Sequence, residues 1–211
     1  NRFASETGGD VRRGKIGATL NLLLKGIPLI YYGQELGLTG KQIPHTPSDG
    51  GDIPVREAFP WTAKVGPGMA VWYKDTGPWW DQSPLAQGGG TSLEAQWGRP
   101  DSLFSYYQKL LAIRRAYPEL TNGDQHVVGN DSDQVFSFVR SQGARRILVV
   151  VNLAAAPVTV RLNQDPSLPV TAAEIGRDIL SGGPGPLATQ GQWAISLAGF
   201  GVGVYALHLG Q

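Results

Sequence analysis

Gly26-Ile27-Pro28-Leu29-Ile30-Tyr31-Tyr32-Gly33-Gln34-Glu35 is the stretch on which the fold turns. From Ile27 to Tyr32 the side chains are apolar or aromatic, with glycine at either end. A short apolar run between glycines has strand length, and without polar alternation it reads as a strand buried on both faces, as parallel sheets require. Upstream, Asp10 is placed to cap a helix. Ile16, Leu20, Leu23 and Leu24 follow at i, i+4, i+7 and i+8, on one helical face. Gly26 suits the residue that ends it. A helix, a tight turn and a buried strand make one α-to-β step of an α/β fold.

Beyond Glu35 the rhythm breaks. Residues 37–100 hold much of the Gly and Pro punctuation, including Gly50-Gly51, Gly77-Pro78 and Gly88-Gly89-Gly90. A loop region of this length inside a domain is functional or disordered. Phe59, Trp61, Trp72, Tyr73, Trp79 and Trp80 argue against disorder, which is poor in aromatics. A second helix is expected from near Asp101, with Leu103, Tyr107, Leu110, Leu111 and Arg114 at helical spacing and Pro118 as its stop. The period then changes to two. Val135–Val139, Arg146–Asn152, Pro157–Leu162 and Gly201–Leu209 read as strands, separated by turn clusters such as Asn122-Gly123-Asp124 and Ser181-Gly182-Gly183. Ala172–Leu180 is ambiguous. Short strands with regular turns predict an all-β sandwich. The expected division is 1–120, the end of an α/β domain, and 121–211, an antiparallel β domain.

Composition narrows the classes. The chain has 211 residues, 41% hydrophobic, a formal net charge of +1 and no cysteine. The near-neutral balance points to neither nucleic acid nor an anionic membrane as a partner. No apolar run is long enough for a spanning helix. Without cysteine there are no disulfides and no thiolate metal sites. The chain begins at Asn1, without Met or a signal-peptide pattern, so an upstream segment is expected.

Several motifs carry no chemistry. Gly9-Asp10-Val11-Arg12-Arg13-Gly14-Lys15 has the spacing of a P-loop, but Ile16 stands where Ser or Thr should reach magnesium, and no strand precedes it. His45, His126 and His208 lie far apart, without the paired spacing of metal ligands. Glu94, Glu119 and Glu174 are equally scattered and name no acid/base pair.

Residues 26–35 resemble the segment G-x-P-x-I-Y-x-G-x-E at the eighth strand of the (β/α)8 barrel in glycoside hydrolase family 13, the α-amylase family. Asn1-Arg2-Phe3-Ala4-Ser5 resembles the residues directly after the family's Asn-His-Asp motif at the end of strand seven. Asp52-Ile53-Pro54-Val55-Arg56-Glu57 with Pro60-Trp61 resembles the loop after strand eight, and Ser105–Leu120 the eighth barrel helix. Val149–Leu153 and Gly201–Tyr205 are similar to the C-terminal sandwich. The resemblance therefore implies an α/β plus all-β chain, the C-terminal end of a TIM barrel followed by a β-sandwich. The stretch Ile43–Gly51 has no counterpart in the pattern, which leaves substrate size open.

The resemblance implies hydrolysis of α-1,4-glucans such as starch and maltooligosaccharides with retention, by two carboxyl groups about 5 Å apart. These, and the third family carboxylate, fall upstream, so no catalytic residue is expected here. Substrate binding is implied for Asp52 and Arg56, whose carboxylate accepts from sugar hydroxyls while the guanidinium donates. An Asp–Arg pair that only pins its loop fits the same spacing. Arg2 is a further implied contact. Trp79 and Trp80 suit either stacking on glucose rings or loop packing.

No cofactor is expected from this chain; a calcium ion on upstream residues is compatible with the resemblance. The expected partners are the α-glucan and the upstream polypeptide that would pair the edges of strand eight. The family suggests an extracytoplasmic setting. An exo-acting α-glucosidase or glucanotransferase, and a non-catalytic carbohydrate-binding or interaction protein, stay open as alternatives.

Overall fold

The computed structural model describes residues 1–44, 49–76, 91–163, 177–189 and 192–208. The chain divides into two units, each assembled from two stretches: Asn1–Gly17 with Leu29–Gln108, and Ala18–Pro28 with Lys109–Gln211. Helices α2 (Val11–Leu23) and α4 (Leu103–Ala116) each contribute residues to both.

In the first unit, α1 (Phe3–Glu6) leads into α2. Asp10 caps α2 as expected, its carboxylate accepting from the Arg12 amide at 2.8 Å. Gly9–Lys15 is thus the start of a helix that follows another helix, and Lys15 Nζ donates to the Asp101 carbonyl at 3.0 Å. Between Gln34 and Asp75 the described chain forms three 3-10 segments, Gln34–Leu36, Asp49–Val55 and Trp72–Asp75. Helix α3 (Leu93–Gln96) follows. Gln96 ties this irregular chain together, donating to the Leu36 carbonyl at 2.8 Å and accepting from the Phe104 amide at 3.0 Å. Ser102, one residue later than expected, caps α4 through the Ser105 amide. Ile16, Leu36, Leu38, Tyr73, Leu103 and Tyr107 are buried in this unit.

One expectation is overturned. Ile27–Tyr32 is not a buried strand: none of these residues joins a ladder. Ile27 is 98% exposed and Leu29 78%, and Ile30, Tyr31 and Tyr32 are exposed as well. The physical reason is pairing. A strand is made by the neighbours that accept and donate along its edges, and no described strand forms a ladder with this segment. Gly33 ends the run as expected, at φ 79°, in the left-handed region open to glycine.

Among its described residues the second unit holds α5 (Pro118–Asn122) and eight strands. Pro118 both stops α4 and opens α5, where a missing N–H costs nothing. The strands are β1 (Asp124–Val127), β2 (Val135–Gln142), β3 (Arg145–Asn152), β4 (Val158–Arg161), β5 (Arg177–Asp178), β6 (Leu187–Thr189), β7 (Gln192–Leu197) and β8 (Val202–His208). They form two antiparallel sheets, one of five strands in the order β1-β2-β3-β8-β5 and one of three in the order β4-β7-β6.

Both sheets feed one apolar core. Val139 opposes Leu148 and Leu148 opposes Tyr205, so the row crosses three strands of the larger sheet. Val160, Trp193, Ile195 and Leu197 of the smaller sheet pack into the same cluster. The alternate residues of the larger sheet, Phe138, Ile147, Val149 and Val204, are buried too, at 0% exposure. Helix α5 packs on β2 and β3. The larger sheet is therefore buried on both faces, which explains why β3 reads as an unbroken apolar run although its sheet is antiparallel.

A buried guanidinium holds this unit's helix ends. Arg140 of β2 is fully buried and donates to the carbonyls of Leu23, Leu120 and Gly123, each at 2.9 Å. Arg114 donates to the Leu22 and Gly26 carbonyls. These are orphan acceptors at helix C-termini, where cations are favoured. Burial pushes the Arg140 pKa down, and Arg114 adds to that shift.

Candidate functional site

Arg2 fixes the ground on which the first unit's candidate site stands. It is only 5% exposed. Its Nε donates to the Val55 carbonyl at 2.7 Å and its Nη1 to the Tyr32 carbonyl at 2.6 Å. The guanidinium lies 4.7 Å from the ring centre of Tyr31 and 4.9 Å from that of Tyr32, within cation–π range. Burial lowers its pKa, while Tyr32 and Tyr31 oppose the shift. Arg2 thereby joins the exposed Tyr31-Tyr32 pair to the end of the 3-10 segment Asp49–Val55. Its Nη2 is buried with no hydrogen-bond partner among the described residues.

Gly40 sets the height of that segment. A Cβ at Gly40 would stand 2.1 Å from the Pro54 carbonyl oxygen, so only glycine allows the approach. Ser5 Oγ accepts from the Gly40 amide at 2.7 Å, and the Arg2 amide donates to the Gly40 carbonyl at 2.9 Å.

Asp52 and Arg56 emerge from this platform side by side. Arg56 Nη2 lies 3.4 Å from Asp52 Oδ2 and donates to the Asp49 carbonyl at 3.0 Å. Gln42 Nε2 donates to the other Asp52 oxygen at 2.7 Å. Both charged side chains are half exposed. A long, solvated pair of this kind contributes about 0–1 kcal/mol to stability, so fastening the loop is a small part of what it can do. With Asn1, Tyr31, Gln42 and Val55 the pair lines an open cavity of about 310 Å³. Acceptor and donor here face solvent together, as recognition of vicinal hydroxyls requires.

The sequence-expected residues thus fall into three groups. Asp52 and Arg56 meet at one cavity. Arg2 is buried beneath them and spends donors on backbone carbonyls. Trp79 and Trp80 lie outside the described residues.

A second cavity of about 430 Å³ shares Arg56 with the first. Asp49, Gly50, Ile53 and Arg56 form one wall, and Tyr32, Phe59, Ala70, Trp72 and Tyr73 are among the others. Its base is a polar lock. Tyr73 Oη donates to Glu57 Oε2 at 2.7 Å and accepts from the Ala58 amide at 3.1 Å, while Tyr32 Oη donates to the Glu57 carbonyl at 2.8 Å. Burial, with the neighbouring Glu57 carboxylate, pushes the Tyr73 hydroxyl pKa well up. Sequence reading missed this lock, because Glu57 and Tyr73 are separated by irregular chain with no period to align them. Elsewhere in the unit, Gln34 Nε2 donates to Tyr107 Oη at 3.0 Å, and burial pushes that hydroxyl up to about 12.

Among the described residues no group of three or more His, Asp or Glu side chains is placed to hold a metal ion. No described helix is long and apolar enough to cross a membrane.

Comparison with known proteins gives a consistent result. The profile described as "Alpha amylase, catalytic domain" matches residues 1–123. "Alpha-amylase 3" of Dictyoglomus thermophilum is 27% identical over 158 residues, covering 75% of this chain and 29% of that protein. "Glucan 1,6-alpha-glucosidase" of Streptococcus pneumoniae is 30% identical over 173 residues, covering 68% of this chain and 31% of its own length. The chain therefore spans about a third of the curated relatives it matches. The crystal structure of the α-amylase from H. orenii superposes with a TM-score of 0.71 at 23% identity, over 99% of this chain and 38% of that one. That likeness establishes the fold as one found within such enzymes. With the profile matching more than half of its residues, the chain belongs to the α-amylase family, glycoside hydrolase family 13.

Proposed function

We propose that this chain is the C-terminal portion of an α-amylase-type enzyme that cleaves α-1,4-glucans with retention of configuration. Residues 1–120 supply the end of the (β/α)8 barrel, in which Ile27–Tyr32, outside any ladder among the described residues, would become the eighth strand only when strands from outside this chain lie beside it, and residues 121–211 form a β-sandwich domain. The two reacting carboxyl groups, about 5 Å apart in a retaining enzyme, come from polypeptide outside this chain. Asp52 and Arg56 hold sugar hydroxyls beside the cleavage point. They do so from a loop that follows a barrel strand at its C-terminal end, where such enzymes build their sites.

The observation that carries this reading is the Asp52–Arg56 pair, half exposed and opening on a cavity rather than buried in its loop. The exposure of Ile27 and Leu29 supports the barrel role. These side chains would be covered, and their backbone paired, by neighbouring strands of an upstream polypeptide.

The decisive experiment uses the full-length protein on starch and on maltooligosaccharides. We expect a spread of short products from starch. Arg56→Ala and Asp52→Asn should each lower kcat/KM by about 10- to 100-fold, the worth of a charged hydrogen bond. Unchanged kinetics in both variants would remove the pair from the site. An absence of cleavage with retained binding would make the protein a carbohydrate-binding module. A second reading, an exo-acting α-glucosidase, is favoured by the relative named glucan 1,6-alpha-glucosidase. Release of glucose alone from chain ends would select it.

A further inference from the structure

Asp52 meets two side-chain donors, and the closer one carries no charge. Gln42 Nε2 donates to Asp52 Oδ1 at 2.7 Å. Arg56 Nη2 stands 3.4 Å from Oδ2 and makes its shorter bond, 3.0 Å, to the Asp49 carbonyl. Of the two contacts on Asp52, that of Gln42 falls within the usual length of an N–H···O bond and that of Arg56 beyond it. The terminal torsion of an aspartate is broad, so a half-exposed carboxylate turns unless a donor holds it. Here the holding donor is Gln42. Gln42 is anchored in turn. Its amide donates to Asn1 Oδ1 at 3.0 Å, and Asn1 Nδ2 donates to Oε1 of Glu6 in α1 at 2.7 Å. The Ile43 amide donates to the Gly51 carbonyl at 2.9 Å, so Gln42 and Asp52 flank a backbone bond that draws their two stretches together. Gly40, which alone permits the approach to Pro54, lies two residues before Gln42. Gln42, Asn1 and Asp52 line the same open cavity.

We propose that Gln42 is the positioning residue of this site: it fixes the rotation of the Asp52 carboxylate, and so sets how Asp52 meets a sugar hydroxyl. The inference rests on the proposed glucan reading. With Oδ1 held by the Gln42 amide, Oδ2 is the oxygen offered to the sugar, beside the Arg56 donor. Arg56 is then free to serve the sugar rather than to orient its neighbour. A hydrogen bond from a neutral amide suits this task. It gains strength from the ionised acceptor, yet leaves the carboxylate its charge for the sugar hydroxyl. Gln42 acts through Asp52, and its contribution is binding rather than chemistry.

Two variants of the full-length protein test this with maltoheptaose, and since Gln42 is exposed neither opens a core. Gln42→Met keeps the length of the side chain and removes the donor. It should raise KM by roughly three- to tenfold, the scale of one solvated hydrogen bond, with kcat little changed. In an Asp52→Ala background the same substitution should change kcat/KM by less than about twofold, because the group it acts through is gone. Gln42→Glu sets an acceptor against Asp52. Near neutral pH the two carboxylates repel, and kcat/KM relative to wild type should be lowest there. In acid the pair takes up one proton, an O–H···O bond replaces the lost one, and the ratio should climb. Arg56 and Glu6, the charged side chains next along the network, are the same in every variant. Dividing by the wild type removes the profile of the reacting carboxyl groups. An unaltered KM in Gln42→Met, an equal loss in both backgrounds, or a ratio that is flat with pH overturns the positioning role. The two proposals fail separately. Cleavage with any of those three results sinks the role of Gln42 and leaves the hydrolase. If maltoheptaose is bound but not cleaved, the same ratios are taken from calorimetric binding constants: coupling to Asp52 keeps the role of Gln42 and sinks the hydrolase, and its absence sinks both. Neither binding nor cleavage of α-glucans also sinks both.

Discussion

Ile147-Leu148-Val149-Val150-Val151 and Ile27-Pro28-Leu29-Ile30-Tyr31-Tyr32 are both unbroken apolar runs of strand length. Every residue of the first is at 0% exposure, while Ile27 of the second is at 98%. Hydrophobicity does not separate them; neighbours do. β3 has β2 on one edge and β8 on the other, with apolar groups packed on both faces. Ile27–Tyr32 joins no ladder among the described residues, and Pro28 offers no donor for one. An apolar run states how much surface a chain needs to bury. Where that surface is buried depends on what else is brought alongside.

The comparison can be broken most sharply by placing the same charge in each run. Val149→Asp sets an unpaired carboxylate in the doubly buried sheet and should remove about 4 kcal/mol or more, abolishing a cooperative thermal transition for that unit. Leu29→Asp, on a side chain 78% exposed, should change the stability of this chain by no more than about 0.5 kcal/mol. Circular dichroism melts of the two variants decide it, and equal losses would mean that Ile27–Tyr32 is packed after all.

A smaller loss is expected from Arg140→Ala. It strands the carbonyls of Leu23, Leu120 and Gly123. The cost should be about 3 kcal/mol, read as a lower urea midpoint, because buried acceptors left without donors retain their desolvation penalty. Loss of under about 0.5 kcal/mol would show that water replaces the guanidinium.

The mildest test uses alkali. Burial, with Asp178 nearby, pushes the Tyr205 hydroxyl up to about 12. Its unfolded value is about 10. Between those values the unfolded chain has lost the proton and the folded chain keeps it, so stability must fall as pH rises above about 10. Tyr205→Phe should flatten that part of a stability–pH profile. An unchanged slope would mean that the ring is already reached by solvent.

The same contrast explains what was legible in the sequence. Strands β2, β3 and β8 were legible because their apolar character runs long enough to show, and β4 because Val158 and Val160 alternate with polar residues after Pro157. β1 is mostly exposed and β5 has two residues, so neither leaves a signature. β7 does alternate, with Trp193, Ile195 and Leu197 inward, but it is short and set among glycines. Ile27–Tyr32 failed as a strand because its sequence specifies a need and not its satisfaction. At the candidate site, Asp52 and Arg56 could be singled out because local spacing and a resemblance coincide on them. The Glu57–Tyr73 lock was not, since the two stand 16 residues apart across irregular chain and nothing local couples them.

Arg140 also sets a schedule. Its guanidinium meets the Leu23 carbonyl across 117 residues of sequence. At the usual pace of synthesis, roughly 5–20 residues per second, Leu23 is made some 6–23 seconds before its donor exists. Through that interval the Leu23 carbonyl lacks its donor, while Arg114, made earlier, already serves the Leu22 and Gly26 carbonyls beside it. A helix near the start of the chain therefore has its last carbonyl satisfied only once a strand of the other half exists, which ties the completion of α2 to that of β2.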